Sequence, residues 1–322
     1  METDQSIRLR TGLLMARYYL AFGTVILFEE VARASDLHDL IQVISRAKEF
    51  DDIILRNNEK KRLNELNEYG KKGGKGKKDE AGSSTEGSAS TTVATATGLR
   101  FPIKGRIKTK EQKIECLLQA TLGHKTIEDF GLRMEATQVM GQATRIARCM
   151  AEYLISCRKY VEPGVRCHLL SRCLQQEMWE EGPFLLQQLD GIGESMGRLL
   201  SDAGISTFAA LEKTDSRRIE SIVRRNPPFG TNVKASFLSI AQYDLQLVQR
   251  SESDRSSVDI ILRRKDFNQH VLLEPPPAKG KKRSRAQYCM LLVGDGDGTI
   301  VLEKQFRGEF PLNTCDTLGF MS

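Results

Sequence analysis

The sequence predicts a mainly α-helical protein with a C-terminal β part: a helical bundle, a helix-hairpin-helix domain and a partial immunoglobulin-like β-sandwich, in that order. Three observations carry this reading. Apolar residues recur at helical spacing over most of the first 182 positions. A Gly-x-Gly turn at 191–193 joins two short helical patterns. Beyond about residue 240 the apolar period changes from 3.6 to 2. The segments expected are a first part of the bundle over 1–69, an insertion over 70–98, a second part over 99–182, the hairpin domain over 183–240 and the sheet over 241–322.

In the bundle, Thr11 to Glu30 is nearly all apolar and is expected to form one central helix or two. Ser35 is placed to cap a helix through Glu49, with Leu37, Leu40, Ile41, Ile44 and Ala47 at helical spacing. Asp51 to Asn67 alternates charge with leucine and reads as a surface helix. Gly70 to Gly98 then passes from a Lys/Gly tract into Ser/Thr/Ala repeats with almost no large apolar residue, the composition of a disordered insertion. Order resumes at Leu99, and Thr109 to Leu122 is a helix with Ile114, Leu117 and Leu118 inside. Glu135 to Tyr160 reads as one long helix burying Val139, Ala143, Ile146, Met150 and Leu154. Arg145 and Arg148 lie on a neighbouring face, where they either touch nucleic acid or are simply solvated. Pro163 opens the next helix, which ends near Trp179, a core anchor.

Pro183 to Gly230 is the most informative stretch. An apolar piece, Phe184 to Leu189, runs into Asp190-Gly191-Ile192-Gly193, and a second helix from Glu194 to Ala203 closes at Gly204. Glycines at 191 and 193 let the backbone approach another molecule, Ile192 plugs the two helices together, and the free N–H groups beginning the second helix can take a phosphate without reading a base. Arg198 lies on that helix. Such turns also pack only against protein, and the acidic Asp190 and Glu194 beside the glycines shift the expectation of phosphate contact downstream. There a second pair runs from Thr207 to Leu211 and from Asp215 to Arg225, with Asp215 as N-cap. Ile219, Ile222 and Val223 share a face, and Arg217/Arg224 and Arg218/Arg225 repeat every seven residues beside it, a basic side continuous over two turns.

The strands expected are Tyr243 to Val248, Val258 to Leu262, Tyr288 to Val293 and Ile300 to Phe306, the last two joined by Gly294-Asp-Gly-Asp-Gly298. That loop has part of a calcium-loop pattern but lacks the remaining ligand positions, so a turn is preferred. Pro275 to Arg285 (PPPAKGKKRSR) is a flexible basic loop and a candidate nuclear-import patch.

Forty-eight Lys and Arg against forty-two Asp and Glu leave a net charge of +6. Because the excess is concentrated in runs, it points to an anionic macromolecule. Seven cysteines without a C-x-x-C pair fit neither a disulfide framework nor a zinc finger. Cys157, Cys167, His168 and Cys173 read as core residues in a reducing compartment. The run Gly12 to Phe28 is short for a membrane span and carries Arg17, so a buried helix and no membrane partner are expected. No phosphate loop of the G-x-x-x-x-G-K-[ST] kind and no nucleophile–base arrangement can be assembled, so no catalytic residue and no metal ligand is proposed.

The order of parts, with the strings TGLLMARYY, KEFDDIILRNNEKKRLNEL, LRFPIKGRIKT followed by KIECLLQATLG, DGIGESMGRLLSDAGI, RRIESIVRRNPPFG and YCMLLVGDGDG, resembles the Sec-sixty-three homology module of DExH-box superfamily-two helicases, most of all that of the meiotic crossover DNA helicases. The resemblance covers nearly the whole chain outside 70–98. It implies a nuclear nucleic-acid-binding module of a 3′–5′ helicase that acts on single-stranded or branched DNA in meiotic recombination and crossover formation. The long bundle helix with Arg145 and Arg148 would lie along the strand. ATP and magnesium would belong to motor domains outside this chain, other recombination proteins would be partners, and further strands would follow Ser322. The alternative is a protein-interaction scaffold without direct DNA contact, as in the spliceosomal relatives.

Overall fold

The computed structural model describes residues 4–67, 99–238, 240, 243–252, 255–264, 288–307 and 313–320. The Lys/Gly/Ser/Thr tract at 70–98 and the basic loop at 275–285 lie outside the described residues. Two compact units are present: residues 1–182 together with 293–301, and the remainder from 183 onward.

The first unit is built mainly of helices. The apolar run forms two helices, α1 (Asp4–Tyr18) and the short α2 (Phe22–Leu27), one of the two forms expected of it. They are peripheral rather than central: Leu9, Leu13, Tyr19 and Phe22 are all more than half exposed, while Leu14, Leu20, Val25 and Phe28 point into the core. Arg17, within the same run, reaches Glu152 (2.5 Å), which also accepts from the Tyr18 hydroxyl (2.8 Å). Helix α3 (Leu37–Ser45) is capped by Asp36, not Ser35. The Asp36 carboxylate accepts from Asp39 N, Asp39 returns the bond to Asp36 N, and the Ser35 hydroxyl instead serves Ala32 N. Asp51 to Asn67 yields only one short helix, α4 (Lys60–Leu66). Helix α5 (Lys110–Leu122) starts at the Thr109 cap that its sequence announces.

Helix α6 (Phe130–Ser156) is the true centre, 27 residues long and capped by Asp129. The five residues expected to face the bundle, Val139, Ala143, Ile146, Met150 and Leu154, are all buried, and the helix packs along α7 (Val161–Gln176). Trp179 closes the core beyond α7, edge-on to Phe101 at 6.2 Å, with the Arg100 guanidinium over its ring at 4.9 Å. Cys157, Cys167 and Cys173 are buried, as core thiols should be, and burial pushes the Cys173 thiol up to about 12.

Lys113 on α5 is wholly buried and serves two carboxylates, Glu59 at 2.6 Å and Glu135 at 2.5 Å, as well as the Ile54 carbonyl at 2.8 Å. The chain on either side of the 70–98 tract is held by side-chain amides. Asn67 exchanges two bonds with the backbone of Ile103 (2.8 and 2.9 Å), Asn64 accepts from Ile107 N, and Gln119 exchanges two with Phe101 (2.7 and 2.9 Å).

The second unit opens with a single 3-10 turn over Leu185–Gln188, followed by helices α8 (Glu194–Asp202), α9 (Phe208–Lys213), α10 (Ser216–Val223) and α11 (Phe229–Leu238). Their core contains Leu186, Leu189, Ile192, Leu200, Ile205, Leu211, Ile219, Val223, Val233 and Phe237. Strands β1 (Tyr243–Glu252), β2 (Arg255–Arg264) and β5 (Asn313–Phe320) form an antiparallel sheet in the order β1-β2-β5, and β3 (Tyr288–Gly294) pairs with β4 (Ile300–Arg307). The β3–β4 tip belongs with the first unit. There Val161 N donates to Gly298 O (3.1 Å), Ile300 N to Lys159 O (2.8 Å), and Arg33 to Asp297 O and the Thr299 hydroxyl. Within it the Asp295 carboxylate accepts from the backbone N–H groups of Asp297 and Thr299, so it closes a turn, as preferred over a calcium loop.

Candidate nucleic-acid interface

The Gly-x-Gly turn adopts the geometry its sequence demands at one glycine only. Gly191 has φ +90°, a region that a side chain rarely enters, whereas Gly193 has an ordinary φ of −88° and serves as the N-cap of α8. No side chain caps that helix start, and a Cβ built on Gly193 would meet nothing within 4 Å. Ile192 is buried between the flanking pieces, the plug position expected of it. Charge at the turn is negative: Asp190 and Glu194 are exposed, and Arg198 is tied to Glu194 at 2.6 Å, so it balances the nearby acid instead of standing free.

The basic side of α10 differs from the sequence expectation. The helix ends at Val223, and Arg224 adopts a left-handed conformation (φ +54°) at its C-cap. The seven-residue repeat therefore breaks: Arg217 and Arg218 stay on the first turn of α10, capped by Asp215, while Arg224 and Arg225 leave the helix and turn into the following loop. The pattern misled because Pro227 and Pro228 follow, and a residue before proline is driven from the helical region, which pulls the helix end back.

That displacement builds a groove. Arg224, Arg225, Asn226, Pro228, Phe229 and Asn232 line an open concavity of about 440 Å³ between the end of α10 and the start of α11. No carboxylate lines it. Among the described residues neither arginine makes an ion pair, and neither asparagine side chain makes a hydrogen bond. Glu220 is buried and accepts from Gly230 N at 2.9 Å, capping α11 from below. Gly230 has to be glycine: a Cβ there would lie 2.1 Å from the Ser216 carbonyl oxygen, so the first turns of α10 and α11 touch backbone to backbone. A Cβ on Gly191 would come 3.9 Å from the Phe229 ring, which places the hairpin turn beside the groove. Phe229, Asn226 and Asn232 were not singled out individually by the sequence reading, although the string RNPPFG that contains the first two was.

Arg145 and Arg148 belong to the first unit. Arg145 is half-buried and bonded to Gln142, and Arg148 is exposed and donates to Gln175 of α7 at 2.6 Å. His168 has its pKa lowered by burial first, then by the charges of Arg172 and Arg148, so both arginines act on this imidazole. Arg172 was missed because its α7 sequence shows no basic repeat.

Fold and surface thus define a mainly helical module with small antiparallel sheets and basic surface elements. The chain belongs to the Sec63 Brl domain family, whose model matches residues 8–309. It is 30% identical over 310 residues to the probable ATP-dependent DNA helicase HFM1 of Xenopus tropicalis, covering 95% of this chain and 21% of that protein. It is 37% identical over 296 residues to the ATP-dependent DNA helicase MER3 homolog of Oryza sativa subsp. japonica, covering 91% and 22%. A more distant relative is the human U5 small nuclear ribonucleoprotein 200 kDa helicase, 22% identical over 214 residues, covering 65% and 8%. The chain therefore spans about a fifth of the length of the HFM1 and MER3 relatives.

Proposed function

We propose that this chain is the nucleic-acid-binding accessory module of a meiotic DNA helicase, holding single-stranded or branched DNA by its backbone during recombination and crossover formation in the nucleus. In this reading 183–240 is a helix-hairpin-helix domain and the strands after it an immunoglobulin-like part, while ATP and magnesium are handled by motor domains outside the chain. The observation that carries it is the groove at the end of α10, where Arg224 and Arg225 stand without acidic partners. Relatives named as DNA helicases supply the nucleic acid as the anionic partner. Arg217 and Arg218 add exposed cations on the first turn of α10, and Arg148 and Arg172 are further exposed cations on the bundle. The hairpin contributes less, because Asp190 and Glu194 oppose a phosphate there.

The test is a salt titration of DNA binding. Removing the cation that neutralises one phosphate reduces the slope of log K against log salt by roughly 0.7 to 0.9. Arg224→Ala with Arg225→Ala should therefore flatten the slope by about one unit or more, nearly independently of DNA sequence. Gly193→Val probes the hairpin alone, since its Cβ enters open space and its φ suits any residue. It should weaken binding less than the arginine pair does. Wild-type affinity and slope in the folded arginine double variant would defeat the proposal.

A second reading, a protein-interaction scaffold, is favoured by the apolar surface that Leu9, Leu13, Tyr19 and Phe22 expose on α1 and α2. It predicts no salt-dependent DNA affinity at all.

A further inference from the structure

We propose that the groove between α10 and α11 seats one unpaired nucleotide, with Phe229 as the surface on which its base stacks; the inference rests on the DNA-binding reading and names the form of DNA that this site selects. A clamp that only neutralises phosphate needs cations and nothing else. This groove is lined by an aromatic ring, Phe229, and two unpartnered carboxamides, Asn226 and Asn232, together with Arg224 and Arg225. At about 440 Å³ it lies in the size range of small-ligand sites and far below what a duplex would need. Its positive charge comes from side chains, because the N-terminus of α11 is already occupied by the Glu220 carboxylate on Gly230 N.

Phe229 is only partly buried. It rests on the core of the second unit on one side, and its Cε2 lies where Gly191 has no side chain to cover it. A base in a duplex is stacked on both faces and cannot offer one to a ring, whereas an unpaired base can. The two amides that line the groove with it each carry a donor and an acceptor, enough to hold the edge of any base without fixing its identity. The selection is thus for strand state, not for sequence.

The experiment compares binding of the full chain to a single-stranded oligonucleotide and to its duplex. Phe229→Leu keeps apolar packing against the core and removes the π face; Phe229→Tyr restores it. The single-stranded affinity of Phe229→Leu should fall about fivefold to a hundredfold, the range for removal of one base–aromatic stack, while duplex affinity stays within about twofold and Phe229→Tyr stays near wild type. A 2-aminopurine in the oligonucleotide should be quenched on binding by the wild type and not by Phe229→Leu. Equal weakening for single strand and duplex, or no weakening in a variant that melts like the wild type, overturns the inference. If Arg224→Ala with Arg225→Ala still weakens binding in that case, the phosphate-clamp reading survives alone; if neither substitution matters, both fall together.

Discussion

Gly230 separates steric from conformational reasons for glycine. Its φ is not in the left-handed region, yet a Cβ would fall 2.1 Å from the Ser216 oxygen, 2.7 Å from its carbonyl carbon and 2.9 Å from its Cα. All three are backbone atoms, so no side chain can swing aside, and α10 and α11 would have to separate. Gly230→Ala should therefore destabilise the second unit by about 3 kcal/mol, the upper part of the range for overpacked sites. It should also loosen the Glu220 cap and with it the wall of the arginine groove. Chemical denaturation of the variant checks this, and a midpoint equal to the wild type's would show that the crossing has slack. Gly193 is the counterexample: its surroundings are empty, so its substitution should lower the denaturation midpoint far less than Gly230→Ala does, through the poorer N-cap alone, while altering what can approach from outside.

Among elements, a buried polar joint lies where α4, α5 and α6 meet at Lys113. Burial would raise the Glu59 carboxyl, but the hydrogen bond from Lys113, one from the Arg56 backbone and the charges of Lys113 and Arg56 together hold it below the ordinary carboxylate range. A lowered folded-state value means that Glu59 stabilises the fold above its unfolded pKa, and that this contribution is lost as pH falls through the folded value. Replacing Lys113 by Met leaves Glu59 and Glu135 facing each other with only the half-exposed Arg56 between them. The cost near neutral pH should be about 3 to 5 kcal/mol. In the variant, burial of Glu59 is no longer offset by Lys113 and its pKa rises, so the gap to wild type should narrow as the pH is lowered towards about 4. Denaturation midpoints at the two pH values read both effects, and a gap that widens in acid would contradict the assignment.

The same scale shows what the sequence made legible. Helices α5 and α6 were readable because Thr109 and the 139–154 apolar series are local signals that burial later agrees with. The Thr11 to Glu30 run was legible as helical but not in its peripheral placement, since hydrophobicity without a strong period says how much can be buried but not which side is. The α10 arginines were identified and their arrangement was not: a repeat counted in sequence assumes an unbroken helix, and the two prolines ended it at Val223. Phe229 and Asn232 gain meaning only through the turn that brings them beside Arg224, which no spacing rule contains.

For the whole chain, the question is whether the first unit depends on the 70–98 tract that interrupts it. The flanks are held independently of that tract. Asn67 is buried and bonded in both directions to Ile103, Asn64 holds Ile107, and Leu63, Leu99, Ile103 and Ile107 pack in one cluster with Cys116, Leu117 and Ala120 of α5. These bonds and packed side chains join residues before Lys71 to residues after Gly98, so the closure is already made by groups that a deletion would leave in place. The tract itself brings almost no apolar residues, and the entropic cost of closing a connection grows only as the logarithm of its length. Replacing 70–98 by a short Gly/Ser linker should then leave the melting temperature within a few degrees of the wild type or raise it slightly, because less chain entropy is lost on folding. Asn67→Ala supplies the contrast. It removes two buried hydrogen bonds at the base of the loop and leaves the Ile103 N–H and carbonyl unsatisfied, which should cost about 2 kcal/mol with the tract present or absent. Should the linker variant melt far below the wild type while Asn67→Ala melts with it, the 70–98 tract, and not the amide pairing at its base, would be what joins the two parts of the bundle.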